Sequence, residues 1–259
     1  MAGKEKSTII TAFVLDFETG GLKCDECAAT QLSVHAVRID NFEVMDTYNE
    51  YFYPYKKQAE VGKPKRKVLK SKFNDELDDA PLMEYSKKAE SVSGITMDLL
   101  YNKGVDLDVA CGNIIDFFRR NTFNVKPSCK PFLVGQNILF DLGFMQQIMM
   151  YTNKWKEFTK CLRGHNDFFG NFQPYYVDTI VFSQLALSHT GKVDSWSLGN
   201  LAEIFNIDLD DAHDADADVV ATREVLRKLT VRMRNENEIN NNGSTVMTEM
   251  PKTRKHFKI

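Results

Sequence analysis

The sequence predicts an α/β fold with a mixed central sheet flanked by helices, and three observations carry that reading. An apolar run over 9–16 continues as D-F-E-T-G-G and breaks at paired glycines, as a central strand does at its end. Segments 31–38 and 45–53 follow closely, the first alternating Leu32, Val34 and Ala36 with Ser33, His35 and Val37, the second rich in aromatics. Together they read as a meander with the first strand. Beyond residue 97, apolar residues recur at helical spacing, interrupted by short strand-like runs at 131–135 and 175–179.

Residues 1–8 are polar and expected to fray. In the first strand, side chains alternate, so Asp16 and Glu18 point to one side about 6.5–7 Å apart while Leu15 and Phe17 take the other. Two unpaired carboxylates on a buried face would repel and lose hydration, a need that a hard divalent cation meets. The alternative is a strand end whose acids are simply solvated. The next loop holds Cys24-Asp-Glu-Cys27, a single C-x-x-C. With Cys161 and His165 it completes a zinc set only if the fold unites the two loops; otherwise these are ordinary thiols.

Length and composition place these motifs in one large domain, 9–234, with a basic insertion at about 56–79 and a tail at 235–259. A hydrophobic content of 43% with 27% charged residues over 259 positions is that of an ordinary soluble chain with a real core. Five cysteines without regular spacing fit reduced thiols. With no membrane-span or signal-peptide run, the expected location is the cytoplasm. The net charge of -3 conceals a local patch. Between residues 56 and 72, eight Lys and Arg stand against Glu60 alone, and Asp75 to Asp79 turns the run acidic. This is a solvated insertion or an arm in which Lys65, Arg66 and Lys67 grip phosphates.

Residues 81–100 read as helical up to Val92-Ser-Gly-Ile-Thr96, with a second short helix at 97–101. Leu107, Ala110, Cys111, Ile114, Phe117 and Phe118 then form one apolar helical face. After the strand 131–135 comes Gln136-Asn137-Ile-Leu-Phe-Asp141, and Asp141 heads a stripe continued by Phe144, Met145, Ile148 and Met149. Either it is a carboxylate aimed inward or an acid drawn to a helix N-terminus. Residues 155–174 are irregular and aromatic; 180–187 and 197–205 are further helices. The last helix, about 215–233, has the stripe Thr222, Val225, Leu226, Leu229 and Met233. Extended back by one turn, the stripe lands on Asp218. His213 stands just upstream, and Asp210, Asp211, Asp214 and Asp216 are read as water-facing acids at the helix start.

Asp16 with Glu18, Asp141 and Asp218 thus each bring an acid to an apolar face. Four oxygen ligands of this kind suit two Mg²⁺ or Mn²⁺ ions, which clamp an in-line phosphoryl displacement, and His213 has the pKa range of a general base. The chemistry inferred is metal-assisted hydrolysis of a phosphodiester.

D-F-E-T-G at 16–20, Q-N-I-L-F-D at 136–141 and H-D-A-D-A-D at 213–218 resemble the three motifs of the histidine-type DEDD (DEDDh) 3′-5′ exonuclease superfamily, that of the proofreading (epsilon) subunit of bacterial DNA polymerase III. Val92-Ser-Gly-Ile-Thr96, Val177-Asp-Thr179 and Ser197-Leu-Gly-Asn-Leu201 add to the similarity, which runs from about residue 9 to 232. The resemblance implies a ribonuclease H-like fold and 3′-to-5′ release of mononucleotides. It implies Asp16, Glu18, Asp141 and Asp218 as metal ligands, His213 and Glu18 as catalytic residues, and Thr19, Gly20, Leu22 and Asn137 around the 3′-terminal nucleotide. Gln136 stands where the family often has His, and the basic insertion lengthens the path to the first helix. The polar, then basic tail from Asn235 is expected to be disordered, and the resemblance suggests it could tether a DNA polymerase. Three activities stay open: exonuclease on DNA 3′ ends in proofreading, repair or salvage, exonuclease trimming RNA 3′ ends, and a non-catalytic nucleic-acid-binding module.

Overall fold

The computed structural model describes residues 9–58, 80–124, 126–208 and 214–234. His213, the expected basic arm with Lys65, Arg66 and Lys67, and the tail from Asn235 lie outside the described residues.

The chain begins with the meander β1 (Thr11–Thr19), β2 (Ala29–Arg38) and β3 (Val44–Tyr51), then runs through helices α1 (Lys87–Ser93), α2 (Met97–Lys103) and α3 (Leu107–Arg120). It continues with β4 (Phe132–Gly135), α4 (Ile138–Tyr151) and the short α5 (Trp155–Phe158). A hairpin of β5 (Gly164–Asn166) and β6 (Phe172–Pro174) leads into β7 (Tyr176–Asp178), α6 (Thr179–Leu187), α7 (Leu198–Phe205) and α8 (Ala215–Arg234). The main sheet has the order β3-β2-β1-β4-β7, antiparallel through the meander and parallel from β1 to β4 to β7. The expected mixed α/β sheet is present.

The register sorts β1 into two faces. Phe13, Leu15 and Phe17 pair with Ala36, Val34 and Leu32 and pack beneath α3 and α4. Phe13 packs at a tilt against Phe118 with ring centroids 4.0 Å apart, and Phe118 meets Phe158 at 4.9 Å. Ala12 and Val14 face the other way, against Val219 and Leu226 of α8. Asp16 and Glu18 continue that second face, and Asp16 pairs with Ser33. With helices on both sides, Ser33 and His35 are buried like their apolar neighbours Leu32, Val34 and Ala36.

Turn chemistry sets the helix ends. The Ser86 side chain caps α1, Gly94 ends it in the left-handed region at φ 70°, and Thr96 caps α2, so V-S-G-I-T is a helix-turn-helix corner. The expected helix from Pro81 starts six residues later. Residues 81–86 are extended instead, because Met83 N–H donates to Tyr55 O and Lys57 N–H to Pro81 O, which ties the segment to the chain after β3. The stretch 155–174, expected to be irregular, contains α5 and the β5–β6 hairpin. Among the described residues, no helix is long and apolar enough to cross a membrane.

Candidate active site

The acids gather where β1 ends. One carboxylate oxygen each from Asp16, Glu18 and Asp218 lies within 4.8 Å of the others. Two come from a single face of β1; the third comes from the first turn of α8, which crosses that face. Asp141 approaches from the start of α4 and is only 2% exposed, with its Oδ1 accepting from Phe17 N–H at 3.0 Å. It lies outside the three-residue cluster but close enough for its charge to act on Asp16.

The electrostatics follow from this crowding. Burial pushes the Asp16 carboxyl well above its ordinary value, and the charges of Asp141, Asp218 and Glu18 push it further. Burial, Asp218 and Asp214 raise Glu18 to about 8. Asp141 also moves up, chiefly by burial, against the opposing hydrogen bond from Phe17. A cluster of oxygen donors whose ionised forms are this disfavoured is matched by a hard divalent cation, and the donor set fits one.

The backbone around the cluster is tightly specified. A one-residue register shift between Glu18 and Thr19 marks the end of regular pairing. Thr19 Oγ1 donates to Gly21 O at 2.8 Å, and a Cβ on Gly20 would collide with the carbonyl of Glu84, so only glycine lets the two segments touch. Leu22 then projects into solvent, 86% exposed. Asn137 precedes α4 in the left-handed region, φ 58°, and its N–H donates to Asp178. Gln136, the departure from the family pattern, faces inward: its amide donates to Trp196 O at 2.7 Å and its carbonyl accepts from Thr179.

The cysteine pairs do not form a metal site. Among the described residues, the Asp16, Glu18 and Asp218 cluster is the one group of three or more potential ligands close enough to share an ion. Gln147 accounts for the C-x-x-C loop: its amide donates to the carbonyls of Cys24 and Cys27, and Tyr55 links it to Ala29 N–H. The loop is pinned by its backbone. Cys161 is core, and His165 lies on the hairpin against Tyr175.

Asp216 faces water with about half of its side chain and is also bonded to the sheet. It accepts from Ser33 Oγ at 2.8 Å and pairs with His35 Nε2 at 3.1 Å, while Arg223 reaches the other ring nitrogen at 3.5 Å. Asp216 therefore fastens the start of α8 to β2 while its side chain stays 46% exposed, and Asp218 follows two residues later. Ser33, His35 and Arg223 were not singled out in the sequence. The signal was a histidine in the middle of an apolar strand; burial holds its pKa below the ordinary value despite Asp216.

No protein-family model matches the chain, and no curated protein matches its sequence. Solved structures do match. E. coli Exonuclease I in complex with a dT13 oligonucleotide aligns at TM-score 0.58 and 20% identity, over 89% of this chain and 43% of that one. The zinc-bound form of an E. coli Exonuclease I complex with single-stranded DNA gives TM-score 0.60 and 19% identity over 89% and 42%. A moderately thermophilic Exonuclease I from Methylocaldum szegediense gives 0.56 and 20% over 89% and 42%. The chain spans less than half the length of each. At these identities the likeness establishes the fold, which is ribonuclease H-like.

Proposed function

We propose that this ribonuclease H-like chain is a divalent-metal-dependent 3′-to-5′ exonuclease acting on DNA ends. The observation supporting it most directly is the cluster of Asp16, Glu18 and Asp218 within 4.8 Å, with Asp141 buried alongside, in a fold shared with nucleases whose structures contain single-stranded DNA. Those four carboxylates would hold two Mg²⁺ or Mn²⁺ ions. When bound, such cations polarise the scissile phosphate and make a water nucleophilic near neutral pH.

The remaining work falls to the chain's own side chains. His213 takes the proton of the attacking water on its imidazole, and Glu18 orients that water with its carboxylate. The water adds to phosphorus, the bond to the 3′-oxygen of the preceding nucleotide breaks, and a nucleoside 5′-monophosphate leaves. Thr19, Gly20 and Asn137 surround the 3′-terminal nucleotide, and exposed Leu22 packs on its base, excluding water. Lys65, Arg66 and Lys67 grip phosphates further along the strand, so binding weakens with salt. The tail after Asn235 is a candidate tether for a polymerase in proofreading.

Digestion of 5′-labelled single-stranded DNA and RNA of equal sequence tests the reading, with Mg²⁺, Mn²⁺ or chelator, beside His213→Ala and Asp16→Ala. The expected result is a descending ladder on DNA that needs metal and is lost in both variants. A ladder on RNA alone would reassign the substrate. Salt-sensitive binding without cleavage of either strand would move the protein to the non-catalytic class.

A further inference from the structure

The catalytic acids do not use the far side of α4. While Asp141, Phe144, Met145, Ile148 and Met149 face the core, Leu139, Leu142, Gly143 and Gln146 face out along a cleft of about 590 Å³. Its opposite wall is the β5–β6 hairpin and the start of β7, with His165, Phe172 and Tyr175, and Trp155 closes one end. Past Trp155 and Phe172 the depression continues into a second cleft of about 550 Å³ bordered by Lys130, Lys156 and Lys160. The hairpin tip carries Phe168 and Phe169, 96% and 83% exposed, which pack only edge-to-face on each other at 5.4 Å. Two adjacent phenylalanines held in water are not explained by the fold.

The cleft reaches the first turn of α4, which Asn137 precedes and which contains Asp141. Leu139, 59% exposed, lies two residues from both Asn137 and Asp141. A Cβ on Gly143 would sit 3.0 Å from Cys24 Sγ, in the loop that displays Leu22. The nearby acids are engaged: Asp167 accepts from Phe169 N–H and Asn171 N–H in the hairpin turn, Glu157 pairs with Arg119, and Asp108 with Lys154. Arg163 lies over the Tyr175 ring at 5.6 Å. The two clefts share Trp155 and Phe172, so rings line the first and lysines border the second.

From this arrangement we infer that the α4–hairpin cleft is a subsite for the single-stranded nucleic acid that trails 5′ of the cleaved nucleotide. Bases stack on Trp155, Tyr175 and the Phe168–Phe169 tip, and phosphates meet Lys156 and Lys160. Rings accept any base by stacking and lysines neutralise phosphate, a combination that suits a strand of any sequence and not a folded protein surface. The inference rests on the proposed exonuclease activity for its direction.

The test compares long and short substrates. Phe168→Ala with Phe169→Ala, and separately Lys156→Glu with Lys160→Glu, change only exposed side chains, and circular dichroism verifies their fold. Steady-state kinetics on dT20 and on dT3, and anisotropy of labelled dT20 in chelator, are measured for each. Expected is about a tenfold rise in KM and Kd for dT20 per doubly substituted protein, with kcat and all dT3 kinetics unchanged. Unchanged dT20 binding, or equal effects on dT3 and dT20, overturns the subsite. Failure of the wild type to cleave either oligonucleotide removes the exonuclease reading instead, and the anisotropy then judges the cleft alone.

Discussion

The two faces of β1 are built from the same nine residues and do opposite things. Toward α3 and α4, Phe13, Leu15 and Phe17 are dry, closely packed and bordered by other rings. Toward α8, Ala12 and Val14 give way to Asp16 and Glu18, which crowd against Asp218 and resist ionisation. The first face supplies stability; the second consumes some of it to hold like charges together. Strain at a functional site persists when the surrounding packing over-determines the structure, and here the packing lies on the reverse side of the same strand.

The division can be broken one face at a time. Under the proposed activity, Asp218→Asn is expected to reduce cleavage by about a thousandfold, the scale of losing one carboxylate of a metal site, while urea unfolding in chelator shows equal or greater stability. A variant less stable than wild type would show that the acids support the fold. Phe118→Ala is the mirror experiment: a loss of about 3–5 kcal/mol in unfolding free energy, with calorimetric metal affinity unchanged at temperatures where the protein stays folded.

Acidity sharpens the comparison further. A carboxyl whose pKa rises on folding holds a proton in the folded chain where the unfolded chain has released it. For Glu18 the stability in chelator should be full below its ordinary value near 4.5 and fall as pH rises through about 8, with Asp16 and Asp141 acting in the same direction. Thermal melts across that window, with and without saturating Mn²⁺, should show the decline reversed by the ion. A flat profile without metal would contradict the crowding. The smallest effect is expected at His35→Ala, which leaves Asp216 with Ser33 as its one partner on β2 and loosens the start of α8: about tenfold weaker metal binding by titration, in protein kept below its melting temperature. Equal affinity would make the His35–Asp216 pair purely structural.

What the sequence disclosed follows the same division. Asp16, Glu18, Asp141 and Asp218 were legible because each interrupts an apolar period, and a strand of period two or a helix of period 3.6 tells which way the residue points. Their convergence from three segments, β1, α4 and α8, is what the fold added. The bonds of Asp216 were not legible because its partners, Ser33 and His35, lie on β2, and no local rule connects them. The β5–β6 hairpin escaped notice since strands of three residues are too short for alternation to register. The extended segment before α1 was taken for helix because its hydrogen bonds go to residues near Tyr55. Whether Cys24 and Cys27 were ligands or ordinary thiols stayed open in the sequence, while the groups that matter there are their carbonyls, which every residue has.

The distance along the chain between Asp16 and Asp218, about 200 positions, bears on how the protein is made. Synthesis at about 5–20 residues per second separates the first acid from the last by about 10–40 s. The meander and α3 can pack during that interval, whereas the acidic cluster has no third member until α8 has been translated and laid across β1. Under the proposed activity, a partly synthesised chain is therefore harmless to the nucleic acid around it, and no inhibitor is needed to keep it so.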